Sequence, residues 1–353
     1  MSRDRALLIG AAGLIGFVVG LIFAPRAALA AWLVCWLGIA AIPIGSLALL
    51  MLVALIPGAW REFYGQPLVI GAALMPVAAI AAIPLLVGIG LIYPWTAAGA
   101  TAGYAAFKSA WLSSGFFVAR TVAYLLVLCL IAWALITAPP ERRAPIAGAG
   151  VIAYGIIGSL IGIDFGETTQ PDFHSSIYGL LSLTNQWLAG VSFAIILGLW
   201  SREGKAPLAA AGVLVTTVLM WSYMHAMQYI VIWSGDIPAE ARWYIERGRH
   251  GWEAVAFLLY GAQGLFTFAA LLSPKVRKRR VAMIGLAGLT LAMRVVEQTW
   301  LLLPGMHGIG WAAAPLILAS AVAMLGFGWS TAFIRRPSGT WSEPEWTATP
   351  RRI

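Results

Sequence analysis

Charge is what this sequence has least of. Only 10% of its 353 residues are Asp, Glu, Lys or Arg, against about 25% in a soluble globular chain. With 61% hydrophobic residues and a mean hydropathy of +0.85, that shortage excludes an ordinary water-soluble protein. Cysteine is nearly absent: Cys35 and Cys129 stand 94 positions apart inside apolar runs. They have no metal-ligand spacing and read as packing residues. There is no Cys-x-x-Cys-His, no cysteine set for an iron–sulfur cluster and no phosphate-binding glycine loop. Of four histidines only His225 lies well inside an apolar run, while His174, His250 and His307 fall at or beyond run ends. A haem held by two histidines therefore lacks a pair of ligands. No ten-residue alternating pattern is present either, which rules out a membrane barrel and leaves helices as the only spanning structure.

What is plentiful points the same way. Thirty-eight glycines and 19 prolines sit largely inside apolar runs, a habit of membrane helices. A bilayer core of roughly 30 Å takes about 20 apolar residues at helical rise. Ten stretches qualify, near 6–24, 29–56, 67–92, 114–136, 146–163, 174–200, 208–233, 251–272, 281–303 and 312–334. The expected fold class is all-α: a polytopic membrane protein of about ten helices.

Orientation follows from Lys and Arg. With the N-terminus inside, sixteen fall on that side: Arg3, Arg5, Arg61, Arg142, Arg143, Arg202, Lys205, Lys275, Arg277, Lys278, Arg279, Arg280, Arg335, Arg336, Arg351 and Arg352. Five fall outside: Arg26, Lys108, Arg242, Arg247 and Arg249. The asymmetry supports ten helices with both termini cytoplasmic. It also reads the net charge of +9 as topology and not as nucleic-acid binding. The charged leader Met1–Arg5 and Ala28-Leu29-Ala30 together have the form of a cleavable signal. Gly10, Gly13, Gly16 and Gly20, spaced as one helix-packing face, favour a retained first helix.

The loop Gly58-Ala-Trp60-Arg61-Glu62 ending at Pro67 echoes Gly198-Leu-Trp200-Ser-Arg202-Glu203 ending at Pro207, at a constant offset of 140. A parallel duplication of two four-helix bundles explains the echo, with chance coincidence as the competing account. The segments expected are a first helix with its loop (1–28), two bundles (29–165 and 166–305), a last helix (306–334) and a polar, disordered cytoplasmic tail (335–353). The outer segment Trp233–Trp252, with Trp243, Tyr244 and Trp252, reads as lying at headgroup level, or alternatively as contacting an extramembrane partner.

Ionisable groups inside the spans need a reason, because each costs about 2.5–3.5 kcal/mol at a helix centre on insertion scales. Arg120 lies near the outer end of the fourth span. His225 sits eight residues before Trp233, roughly 12 Å below the outer surface at helical rise, with Gln228 one turn further out on the same face. The ninth span carries Arg294 and Glu297, one turn apart. Asp164, Glu167, Asp172 and His174 crowd the loop between spans five and six. The inner halves hold almost nothing ionisable, the pattern of a site opening outward. Blander readings stand beside this one: an Arg294–Glu297 pair with no task, a packed His225, Asp164 and Glu167 as boundary caps, and a snorkelling Arg120.

Several of these segments resemble a known family. Asp164-Phe-Gly-Glu-Thr-Thr-Gln-Pro171-Asp-Phe-His-Ser175-Ser-Ile-Tyr178-Gly179 resembles the Asp-Trp…Pro-x-Trp-x-Ser-x-Ile-Tyr-Gly stretch of the ActF-like, quinone-binding subunit 2 of quinol:cytochrome c oxidoreductase. That complex is also called alternative complex III, and the subunit belongs to the NrfD/PsrC-like membrane superfamily. Tyr223…Gln228-Tyr-Ile-Val-Ile-Trp233…Pro238 is similar to its Tyr…Gln-x-x-Ile-x-Trp…Pro-Glu-Glu stretch. Lys108 with Phe116-Phe117-x-x-Arg120, and Glu297-x-x-Trp300-x-x-x-Pro304, are similar to two further stretches. The departures are His225 and His174 at positions usually apolar or aromatic, Glu167 where methionine is common, and Phe165 in place of tryptophan.

The resemblance implies two four-helix bundles flanked by the first and last helices. It also implies a membrane subunit of a quinol-oxidising complex, partnered by a homologous NrfD-like subunit and by iron–sulfur and cytochrome c subunits. Such a subunit carries no cofactor held covalently or by metal ligation, contributes a proton pathway, and leaves quinone contact open. On this reading Glu297 and His225 accept protons, Gln228 joins them in the relay, Arg294 tunes the acid, and Asp164, Glu167 and Arg120 form and tune the exit. Two other classes compete. One is a structural scaffold with no proton role. The other is a small-solute transporter, suggested by Pro43-Ile-Gly45-Ser46, Pro76 and Pro84 within spans.

Overall fold

The structure, a computed structural model, describes residues 2–58, 60–200 and 206–332. Arg202, Glu203 and Lys205 of the repeated loop motif, and the polar tail from 335, lie outside the described residues. Among those described, ten helices are long and apolar enough to cross a membrane: α1 Arg3–Phe23, α2 Pro25–Leu55, α3 Trp60–Val87, α4 Ser114–Thr137, α5 Pro140–Thr169, α6 Tyr178–Trp200, α7 Leu208–Gly235, α8 Trp252–Leu272, α9 Arg280–Gly305 and α10 Gly310–Thr331. Together they make an all-helical, multi-pass membrane fold.

Local chemistry sets the helix ends. The Ser2 hydroxyl caps α1 by accepting from the Arg5 amide at 3.4 Å. Pro25 and Pro140 open α2 and α5 at the one place where a missing N–H costs nothing. Two boundaries differ from the sequence expectation. The third helix begins at Trp60 and not after Pro67: Pro67 stays inside it, packed with Phe63 on Gly198, where an added methyl would lie 3.1 Å from the Phe63 ring. The break expected at Pro43–Ser46 of α2 falls one turn earlier, at Ala40, because Pro43 has no N–H to offer the Ile39 carbonyl.

Small residues decide which helices meet at the centre. A Cβ on Gly45 of α2 would lie 1.7 Å from the Gln186 carbonyl oxygen of α6, and one on Gly190 would lie 2.6 Å from the Gly45 carbonyl carbon. The two backbones therefore cross in direct contact. Around that crossing α2 packs with α3 and α5, α6 packs with α7 and α9, and α2–α9 and α5–α6 contacts close the seam. Outside it α1 lies along α10. The glycine face of α1 is used there: a Cβ on Gly13 would lie 2.4 Å from the Ala323 nitrogen.

The loops opposite the N-terminus knit into one cap. Lys108 donates to the Pro171 carbonyl at 2.9 Å and its ammonium lies 3.0 Å from His174 Nε2. A surface helix, Pro238–Arg247, presses its Trp243 ring onto Phe173, stacked at 4.7 Å. Trp243 and Trp252 are buried, because the cap supplies them with aromatic partners, Phe173 and Trp300 for the first and Trp311 for the second.

Candidate functional site

Two buried carboxylates organise the polar interior. In α5, Asp164 is fully buried. Arg120 of α4 grips it with Nε at 2.8 Å and Nη2 at 2.9 Å, and the Trp111 indole N–H adds a third bond at 3.0 Å. Such a two-pronged guanidinium–carboxylate pair is strong and fixed in geometry. Arg120 also donates to the Trp111 carbonyl at 2.6 Å and lies over the Trp111 ring, 4.4 Å from its centre. Arg120 therefore points into the protein and does not snorkel.

The second carboxylate is Glu297 on α9, also fully buried. Arg294 Nη1, one turn away, donates to its Oε2. Its Oε1 accepts from the Trp221 indole at 2.9 Å and faces His225 Nε2 at 2.9 Å, both on α7. Arg294 lies over the Trp221 ring at 5.4 Å. Both sites thus share one plan: a carboxylate fed by an arginine and by an indole N–H, with the arginine resting on that same indole ring. Three donors offset the cost of burying each charge.

The difference between them is His225. Its Nδ1 lies 3.1 Å from the Tyr260 hydroxyl of α8, so imidazole joins carboxylate to phenol. Neutral imidazole donates to Glu297 and accepts from Tyr260, whereas imidazolium donates to both. The chain of contacts holds in either state, which is what a proton-handling group needs. Asp164 has no histidine partner and sits in a closed ion pair.

Around Glu297 the interior is unusually polar. Arg294 Nε donates to the Thr290 carbonyl at 3.1 Å, and Nη1 reaches Asn185 Oδ1 of α6 at 3.4 Å. Arg294 Nη2, Thr290 Oγ1 and both amide atoms of Gln263 are buried without a hydrogen-bond partner. Gln263 and Tyr260 belong to a π-helical turn, Tyr260–Phe266, within α8. Turns of this kind are rare and recur at functional sites.

The remaining expected residues scatter. Gln228 is buried next to the Tyr244 hydroxyl, one turn from His225 and apart from the carboxylate. Glu167 is half-buried and accepts from the Ser175 amide at 3.1 Å. Asp164 turns to Arg120 inside the bundle, whereas Glu167 turns to the Ser175 amide in the cap. Asp164 and Arg120 belong to the α4–α5 side, separate from the α7–α9 cluster.

Three participants have little signal in the sequence. Trp221 and Tyr260 are aromatics in apolar helices, indistinguishable there from lipid-facing ones. Arg247, counted as a loop charge, is only 1% exposed. Its guanidinium donates to the Trp243 carbonyl at 2.8 Å, to Gln170 Oε1 at 2.9 Å and to the Leu301 carbonyl. Burial pushes it down to about 9, which leaves it charged at neutral pH. It clamps the surface helix to α9 and to the α5–α6 loop. Both cysteines are free; Cys35 is buried with its thiol on the Ile317 carbonyl. Among the described residues no three His, Cys, Asp or Glu gather as a metal set.

No family model and no curated protein matches this chain.

Proposed function

We propose that this chain is an integral membrane subunit of a quinol-oxidising respiratory complex of the alternative complex III kind, and that the Glu297–His225–Tyr260 chain carries protons within it. One observation carries the proton assignment: a buried carboxylate held by arginine, bonded to an imidazole whose other nitrogen meets a phenol. Oxidising a quinol releases two protons, which need acceptors whose charge changes near neutral pH. The assignment to that family rests on the spacing of Lys108, Arg120, Asp164, Tyr178, Gln228, Glu297 and Trp300. Loop charge favours the N-terminus in the cytoplasm, which puts the capped face outside. Arg294 pairs with Glu297, and Asp164–Arg120 is its closed, structural counterpart.

The test is purification from native membranes. Iron–sulfur and cytochrome c subunits and an NrfD-like partner are expected to accompany the tagged chain. Glu297→Gln is expected to lower quinol-dependent turnover or proton release by about 100-fold, the usual scale for a lost acid–base group, while the complex still assembles. Isolation without redox partners, with solute uptake by the chain alone in liposomes, would overturn the respiratory reading. Intact turnover and proton release in Glu297→Gln would leave the chain as a scaffold.

A further inference from the structure

The seam where α2, α5, α6 and α9 meet is not filled. It encloses a cavity of about 20 Å³, as room open to the centre of a water molecule. About 10–15 Å³ in that measure accommodates one water, provided that two to four polar groups receive it. The lining supplies them: Tyr178, Ser182, Asn185 and Gln186 from α6 and Gln298 from α9. One of these groups has an unmet need. Gln186 is 2% exposed, and its Nε2 is spent on the Gly158 carbonyl at 3.1 Å and Ser182 Oγ at 3.0 Å. Its Oε1 has no partner. Leaving a buried amide oxygen unpaired costs about 1–3 kcal/mol, a penalty that a donor in the cavity removes.

The place of the cavity gives it a role. Asn185 lies in its wall and is already tied to both neighbours, donating to the Leu37 carbonyl at 3.3 Å and accepting from Arg294 at 3.4 Å. Tyr178, at the other end of the wall, is within electrostatic reach of Glu167, Arg247 and Glu297. Gly162 and Gly166 bring the backbone of α5 to the cavity on either side of Asp164. The cavity therefore stands between the two carboxylate sites and beneath the cap.

We propose that this seam cavity is a water site, in which one ordered water donates to Gln186 Oε1 and bonds to the amide of Asn185 or Gln298. It extends the hydrogen-bonded network of Arg294 and Asn185 to Gln186, whose amide reaches the Gly158 carbonyl of α5. Water is the ligand because the room suits one water and the walls offer both donors and acceptors. The water site does not depend on the respiratory reading, and its test involves no quinol.

The purified chain in lipid nanodiscs is compared by infrared spectroscopy in ordinary water and in water carrying oxygen-18. A buried O–H stretching band that moves with the isotope is expected in the wild type. Gln186→Leu, which removes the orphaned acceptor, and Ala41→Leu, which fills the cavity from α2, should both abolish it. Gly90→Ala, where an added methyl meets nothing within 4 Å, should leave the band in place. Isotope-dependent spectra that superimpose for the wild type and Gln186→Leu would overturn the proposal. So would a density map that resolves other internal waters but leaves this cavity empty.

Discussion

Glu297 and Asp164 answer the same problem, a carboxylate in an apolar interior, and differ by one neighbour. Asp164 accepts three bonds from Arg120 and Trp111 and meets no histidine, so its substitution should act through stability. Removing one partner of a buried pair costs about 3–5 kcal/mol, and Asp164→Ala is expected to lower the thermal unfolding temperature of the detergent-purified protein sharply. Glu297→Gln keeps the shape and one acceptor, so its unfolding temperature should fall far less while proton-coupled turnover is lost. The reverse ranking in a melting and turnover comparison would show that the working and structural roles belong the other way round. His225→Phe adds a second check. It leaves the Arg294–Glu297 pair in place but cuts the link to Tyr260, and turnover should fall as in Glu297→Gln.

At the scale of elements, contact distance is set by glycine and cap position by Arg247. Gly45→Leu puts a side chain where the Gln186 carbonyl stands, and no rotamer relieves a clash with backbone. The α2–α6 crossing should open, and the folded yield in membranes should collapse, whereas Gly90→Leu in open space should express normally. Arg247→Met removes a buried charge but also three donated bonds that tie the surface helix to the Gln170 loop and the α9 end. The helix should detach from Phe173, seen as a red shift and stronger quenching of tryptophan emission as Trp243 meets water. Unchanged emission would mean that aromatic stacking alone holds the cap. The sequence showed an amphipathic, aromatic loop here but not which way it faces, since Trp243 suits a headgroup belt and a stacked interior equally well.

For the whole molecule, sidedness is the accessible prediction. With Cys35 and Cys129 replaced by alanine, single cysteines at the exposed positions Asp172 and Lys275 should react with a membrane-impermeant maleimide from opposite sides of intact cells and inverted vesicles. Labelling of both from one side would break the ten-span alternation. That alternation was legible in the sequence, because apolar length against bilayer thickness is a one-dimensional property and needs no knowledge of partners. So was the short roster of ionisable groups inside the spans, since hydrocarbon makes each one conspicuous. Which of them meet was not legible. The Glu297–His225 contact, the closed Asp164–Arg120 pair, the π-turn that presents Tyr260 and the burial of Arg247 depend on helix rotation and crossing. Those are fixed where Gly45 meets Gly190 and Gly13 meets Ala323, by packing between residues distant in the chain.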